Sequence, residues 1–301
     1  MVENKSIFDF LDNIPVDYEK NVKTADLVSL KVGGTARAVV YPKTIEHFCS
    51  ILEWLCVNKE KYYILCHGTN TYFKDNLYDG IVLSTKYLNK VHIQDQNIIA
   101  ECGASLLKCC EIARRKSLTG LEFAFGIPGG IGGALYMNAS AYEKSISEII
   151  SSSVVYDITT KTKIKLVNEQ HLFENKNSIF QHKNFIVLST TLKLNSDDSK
   201  MIANNMDETI SSRLNKQPCD IPNAGSVFKR PKNQFASKLI DRAGLKGFTI
   251  GGASVSTMHA GFIVNTGNAT SNDIKELTNY IQNRIEFLFG IKLEKEIIFV
   301  E

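Results

Sequence analysis

Gly126-Ile127-Pro128-Gly129-Gly130-Ile131-Gly132-Gly133-Ala134-Leu135-Tyr136-Met137-Asn138 places five glycines in eight residues, opened by an Ile-Pro step. A backbone of this kind has no side-chain walls. Glycine also reaches the positive-φ conformations through which successive N–H groups turn toward one anion. Ala134 to about Ile150 has helix-compatible composition, so the stretch reads as a loop feeding a helix N-terminus, where negative charge is favoured. A tight turn packed against a helix satisfies the same residues, and this stretch alone leaves both readings open. The common phosphate loops are excluded. No Gly-x-x-x-x-Gly-Lys-Ser/Thr occurs, and Leu135 stands where a Gly-x-Gly-x-x-Gly pattern begun at Gly130 needs its last glycine.

Working outward, the chain alternates strand-like and helix-like segments. Residues 1 to about 26 are polar and weakly periodic, compatible with a helix leading into a first strand from Leu27 to Tyr41 around Gly33-Gly34. Thr44 caps a helix carrying Ile45, Phe48, Leu52 and Leu55 on one face. Tyr62 to Leu65 and Gly80 to Ser84 read as buried strands, and this strand–helix–strand order indicates an α/β fold. Val91–Ile93 and Ile98–Cys102 form a hairpin, followed by a helix from Ser105 to Lys116 with Leu106, Leu107, Cys110 and Ala113 inward. Val154–Val167 and Phe185–Leu194 are strand-like, and Asn195–Lys200 is a polar break. Beyond it, helices are expected over Ser199–Asn215 and Gln234–Ala243. The periodicity of Ile274, Leu277, Ile281, Ile285 and Leu288 predicts another, closed by Gly290. A last strand, Ile291 to Val300, carries Glu294 and Glu296 on one face.

Composition narrows the function classes. The 301 residues suit two or three domains, and 44% hydrophobic with 22% charged residues is ordinary for a globular protein. A net charge of +3 is too small and dispersed for a nucleic-acid surface. Arg114-Arg115-Lys116 suits a helix C-terminus. Seven cysteines, an odd number without Cys-x-x-Cys, read as free thiols in a reducing compartment. With no signal-peptide pattern and no apolar stretch of membrane-spanning length, the expectation is a cytoplasmic protein.

Three loops are candidates for a phosphate or cofactor: Gly33-Gly34, Gly68-Thr69-Asn70 and Gly126–Gly133. The second follows a buried strand, at the end of which α/β folds often bind ligands. Each alone is satisfied by a turn, whereas all three together favour an extended ligand. Ser226 lies between small residues and the bases Lys229 and Arg230, which suits a hydroxyl facing an anion, although a serine that satisfies a turn accounts for the same residues. It is not a Gly-x-Ser-x-Gly nucleophile. His67 and His259 adjoin glycine turns, but no His/Cys/carboxylate spacing indicates a metal site.

Taken together, Leu30-Lys31-Val32-Gly33-Gly34, Gly68-Thr69-Asn70, Gly126–Asn138, Arg213–Pro218, Asn223–Pro231 and His259-Ala260-Gly261-Phe262 form one ordered set. From about Leu27 to the C-terminus the chain resembles the UDP-N-acetylenolpyruvoylglucosamine reductases, in their shorter subtype. The resemblance implies an α/β (α+β) protein. Two flavin-binding subdomains of the vanillyl-alcohol-oxidase (PCMH) type, 1–85 and 86–196, would precede an α+β substrate-binding domain, 197–290. A C-terminal strand, 291–301, would bring Glu296 to the active site.

It further implies FAD and NADPH as cofactors, a UDP-sugar substrate and a monomeric enzyme. Gly33, Gly34, Gly68, Thr69, Asn70, Gly126, Ile127, Pro128, Gly129, Gly132 and Asn138 would hold FAD. Lys216, Asn223 and Arg230 would face the nucleotide substrate or NADPH. Ser226 matches the family's proton donor. Glu296 matches its glutamate, which has to be protonated beside the developing charge. The family's Phe-x-Tyr-Arg-x-Ser appears as Phe173-Glu174-Asn175-Lys176-Asn177-Ser178, so Lys176 stands for the catalytic arginine. Lysine keeps the charge but not the planar two-pronged fit to a carboxylate. Cys66, Ser140 and Ile298 also depart from the family pattern. These departures admit a second reading, a diverged paralogue that binds flavin or sugar nucleotide with little reduction. A flavin oxidase of the wider superfamily is disfavoured by Asn223-Ala224-Gly225-Ser226.

Overall fold

The computed structural model describes residues 6–301, which form a mixed α/β protein of two compact units. The first contains the chain up to Lys20, Arg37–His67 and Asp79–Ile210; the second contains Asn21–Ala36, Gly68–Tyr78 and Ser211–Glu301.

In the first unit a four-stranded sheet runs in the order Asp17–Lys23, Thr35–Tyr41, Leu77–Ser84, Tyr62–Leu65, with the last two parallel. The ends of three of these strands count with the second unit. Helix Ile45–Val57, capped by the Thr44 hydroxyl, buries Phe48, Ile51, Leu52 and Leu55, the one-faced spacing the sequence shows. A five-stranded antiparallel sheet follows, in the order Thr162–Val167, Ile150–Asp157, Phe185–Lys193, Asn97–Glu101, Val91–Gln94. Its alternating residues Ile98, Ala100, Val155, Leu188 and Leu192 join one hydrophobic cluster with the helix face.

The second unit has its own core. Helix Ser271–Phe289 is capped at its start by Thr270 and at its end by Gly290 in the left-handed region, and it buries Ile274, Leu277, Ile281 and Ile285. These side chains pack with Val255, Ile263, Leu239 and Ile240, from a four-stranded antiparallel sheet and from helix Ala236–Arg242. Each fully buried Ile or Leu contributes roughly 1.5–3 kcal/mol before chain entropy is counted.

Several expectations are corrected. The strand expected from Leu27 begins only at Thr35, because Lys31 (φ 57°) and Gly33 (φ 147°) bend the chain before it. The N-terminal helix is short, Ile7–Leu11, and the part of that expectation on residues 1–5 lies outside the described residues. The helix expected from Ala134 to Ile150 is instead Ile131–Tyr136, six residues long. Asn138, Tyr142 and Glu143 all take positive φ and divert the chain into a short hairpin. Leu107 and Leu288 are 45% and 40% exposed, and Cys109 takes the inward position expected of Leu107. The last strand is only Ile298–Val300, pairing in parallel with Thr71–Phe73. Asn195–Ser196, within the expected polar break, pairs with Leu118–Thr119.

Candidate active site

In the second unit, Ser226 and Glu296 come together although 70 residues separate them. The Glu296 N–H donates to the Val227 carbonyl (2.7 Å), the Lys229 N–H donates to the Glu294 carbonyl (2.8 Å), and Phe228 bridges Lys295 between them. Ser226 ends strand Asn223–Ser226. There Asn223 pairs with Val264 and Ser226 with Phe262, so the strand carries one residue more than its partner. Such a bulge re-aims a side chain. Gly225 supplies the positive φ (73°) it needs, and Ser226 is left exposed. Lys229 pairs with Glu294 (2.5 Å).

The Gly68-Thr69-Asn70 loop lies in the same unit and holds the same segment. The Asn70 carboxamide donates to the Glu296 carbonyl (3.0 Å), and the Ile298 N–H donates to the Asn70 carbonyl (2.9 Å). The Gly68 carbonyl accepts from the Ser29 N–H (3.0 Å), while the Ser29 hydroxyl donates to the Asn223 carbonyl (2.6 Å). Asn223 is engaged at both ends of its carboxamide: it donates to the Pro218 and Ile221 carbonyls and accepts from the Gly225 N–H. Its side chain therefore shapes the bulge beneath Ser226. Thr69 is half-buried. The Gly34 N–H donates to the Lys74 carbonyl (2.7 Å), and an added Cβ at Gly33 or Gly34 would strike Thr24 or the Asp75 backbone. Lys216, in the last turn of helix Ser199–Lys216, is exposed, as is Arg230, whose guanidinium lies 4.0 Å from the Phe235 ring centre.

The glycine stretch belongs to the first unit. Gly126 and Gly129 take φ of 84° and 139°. The Ile127, Ile131 and Gly132 N–H groups donate to the Ala124, Ala104 and Cys102 carbonyls, and the Gly129 carbonyl accepts from Leu106. Pro128 contributes no N–H. A Cβ at Gly130 would come within 2.6 Å of the Cys66 sulfur and 2.9 Å of the His67 ring. Burial pushes the Cys66 thiol above its ordinary pKa, against hydrogen bonds from the N–H groups of Gly133, Gly130 and His67 and from Thr85. The N–H groups of Ile127, Ile131 and Gly132 are thus spent on the chain's own carbonyls, and what the glycines leave is a backbone without side-chain walls, which fits the close approach of a flavin dinucleotide's diphosphate.

Lys176 sits in the same unit on a two-residue turn closed by Glu174 and Asn177, which exchange backbone hydrogen bonds of 3.1 and 3.3 Å. Lys176 is half-buried and takes φ 55°. The buried Asn138 donates from its carboxamide to the Glu174 carbonyl (2.8 Å) and accepts from the Ser147 N–H (3.3 Å). Ser178 and Gln181 both donate to the Tyr136 carbonyl, at 2.8 and 2.7 Å. No sequence pattern marks Ser29 or Gln181, because they act on carbonyls that only the tertiary fold brings near, whereas Ser178 closes the Phe173–Ser178 motif.

His171 stacks on Phe173 at the foot of this loop, with ring centres 5.0 Å apart, and is fully buried. Its Nδ1 faces the Asn168 carbonyl and its Nε2 the Ser153 hydroxyl, an arrangement that suits the neutral ring. Burial lowers its pKa below the ordinary 6.5. A group depressed in this way gives stability that is present above the unfolded-state pKa and lost as pH falls below it. The limit is about 1.4 kcal/mol per pH unit. Denaturant unfolding at pH 7.5 and 5.5 is expected to show this loss, with a smaller loss in His171→Gln. An equal loss in the variant would remove His171 as its source.

A family model described as UDP-N-acetylenolpyruvoylglucosamine reductase, C-terminal domain, matches residues 217–300, and one described as FAD binding domain matches 36–157. The UDP-N-acetylenolpyruvoylglucosamine reductase of Clostridium tetani is 38% identical over 97% of this chain and 96% of its own. The chain belongs to the UDP-N-acetylenolpyruvoylglucosamine reductase family. The Listeria monocytogenes member is 42% identical over 89% of each chain. The crystal structure of the Thermus caldophilus member superposes with a TM-score of 0.79 at 27% identity, covering 95% of this chain and 99% of that one. The C-terminal family match contains Asn223, Ser226, Arg230 and Glu296, and the flavin-domain match contains Gly68–Asn70 and Gly126–Asn138. Lys176 falls in neither, so only its loop geometry bears on its role.

Proposed function

We propose that this protein reduces UDP-N-acetylglucosamine enolpyruvate to UDP-N-acetylmuramate, with FAD and NADPH, in peptidoglycan synthesis. The observation that carries the reading is the Glu296–Val227 backbone hydrogen bond, which brings the Glu296 backbone to the residue that follows the exposed Ser226. FAD, when bound, supplies hydride drawn from NADPH to the terminal carbon of the enolpyruvyl double bond. Charge then develops on the neighbouring carbon and its carboxylate, and this is the species the protein has to stabilise.

In this reading Ser226 gives its proton to the α-carbon. Glu296, in its protonated form, and Lys176 face the carboxylate. Gly68–Asn70 and Gly126–Gly133 hold the FAD diphosphate, with the Asn70 carboxamide acting through its loop. Gly33 and Gly34 keep the first loop's surroundings in place, and Lys216 and Arg230 meet nucleotide phosphates. The 1–85, 86–196 and 197–290 functional divisions, with a C-terminal strand carrying Glu296, belong to the same proposal. So do a monomeric state and a cytoplasmic location. An odd number of cysteines suits a reducing compartment, and no helix among the described residues is long and apolar enough to cross a membrane.

Anaerobic mixing tests the reading. NADPH is expected to bleach the flavin-loaded protein, and UDP-N-acetylglucosamine enolpyruvate to restore the oxidised spectrum with formation of UDP-N-acetylmuramate. Reduced flavin that the substrate leaves reduced would overturn it. A non-reducing paralogue is not favoured, because relatedness runs through 97% of the chain and covers both Ser226 and Glu296.

A further inference from the structure

The end of the glycine stretch touches the Lys176 turn at two points. The Asn138 carboxamide donates to the carbonyl of Glu174, the residue that opens the turn, at 2.8 Å. Gln181 donates to the Tyr136 carbonyl (2.7 Å) and to the carbonyl of Lys176 itself (3.1 Å). One carbonyl before the turn and one at its apex are thus tied to residues 136–138, directly or through a single side chain. Ser178, completely buried, adds a third tie to Tyr136 (2.8 Å).

The energetics favour a positioning function. Asn138 is 7% exposed, takes φ 42° and is engaged at both ends of its carboxamide, so its polar atoms are directed inside the chain. Lys176 takes φ 55°, a conformation that costs a non-glycine residue energy and persists only where its surroundings hold it. A lysine, with one point charge on a flexible stem, depends on its backbone for aim more than an arginine fork does.

We infer that Asn138 and Gln181 are positioning residues that aim Lys176, coupling the end of the cofactor loop to the cation that meets the substrate carboxylate. This rests on the proposed role of Lys176. Asn138→Asp keeps the side chain's size and its tolerance of positive φ, but replaces the N–H donor to Glu174 with an acceptor. Gln181→Met removes the donor to Lys176 at a less buried position and serves as the second variant.

In the FAD-loaded protein, Asn138→Asp is expected to slow reoxidation of the flavin by the enolpyruvyl substrate about 10–100-fold, and Gln181→Met about 3–10-fold. Reduction by NADPH and the FAD dissociation constant should stay within about twofold. Lys176→Ala combined with Asn138→Asp should be no slower than Lys176→Ala alone, because the aim of an absent side chain cannot matter. Hydrogen exchange adds a readout free of catalysis: the Asn177 amide, which donates to Glu174, should exchange at least tenfold faster in Asn138→Asp. Unchanged exchange overturns the tie, whether or not the enzyme turns over. FAD affinity weakened tenfold, or losses that multiply in the double variant, would make Asn138 a cofactor ligand and overturn the positioning role. Wild-type protein inactive on the substrate defeats the functional reading alone.

Discussion

Ser226→Ala is expected to slow substrate-driven reoxidation of the flavin by about 10²–10⁴-fold, the range lost with a positioned proton donor. Reduction by NADPH should be unchanged. The specificity follows from structure. Ser226 is exposed at the end of a bulged strand whose unusual backbone is carried by Gly225 and by the Asn223 carboxamide, not by the serine side chain. Losing its hydroxyl should therefore leave stability within about 0.5 kcal/mol, as at other exposed positions. Ser226→Cys keeps a proton donor and should fall between wild type and alanine. Stopped-flow absorbance under anaerobic conditions reads both half-reactions separately. An alanine variant within threefold of wild type in the oxidative half-reaction would take the proton-donor role away from Ser226.

The helices facing a core were legible because their apolar spacing is local. Ile274, Leu277, Ile281 and Ile285 lie on one turn-repeating stripe, and the burial of that stripe follows from it. The end of the same stripe misled. Leu288 has the spacing but lies in the last turn before Gly290, where it is 40% exposed. Past Tyr136 the expected helix failed for a physical reason. Asn138, Tyr142 and Glu143 take positive φ, and Asn138 is held so by bonds to Glu174 and Ser147, which composition does not reveal.

The site was legible as residue types but not as duties. Asn70, Asn138 and Asn223 resemble ligand contacts in the sequence, yet each carboxamide hydrogen-bonds to this chain's own backbone. Non-local carbonyls decide that, and Gln181 was missed for the same reason. The two units each draw on three separate stretches of chain, a division that no linear change in composition marks.

Glu296→Ala is expected to lower the rate of the oxidative half-reaction about 10²–10³-fold, the loss found on removing one donor aimed at a developing negative charge. Its backbone is held independently of its carboxyl: the N–H is bonded to Val227 and the carbonyl to the Asn70 side chain. Substitution should thus remove the acid without moving Ser226. Glu296→Gln retains an N–H donor of similar shape and should lose less than Ala. That ordering separates hydrogen-bond donation from a purely electrostatic role, because a carboxylate acting by its charge would make Gln and Ala equivalent. On the proposed reading, in which Ser226 and Glu296 act on the same developing charge, the Ser226→Ala/Glu296→Ala double variant should lose less than the product of the single losses. Fully multiplicative losses would mean that the two side chains serve separate steps, and the single site built around the Glu296–Val227 hydrogen bond would have to be abandoned.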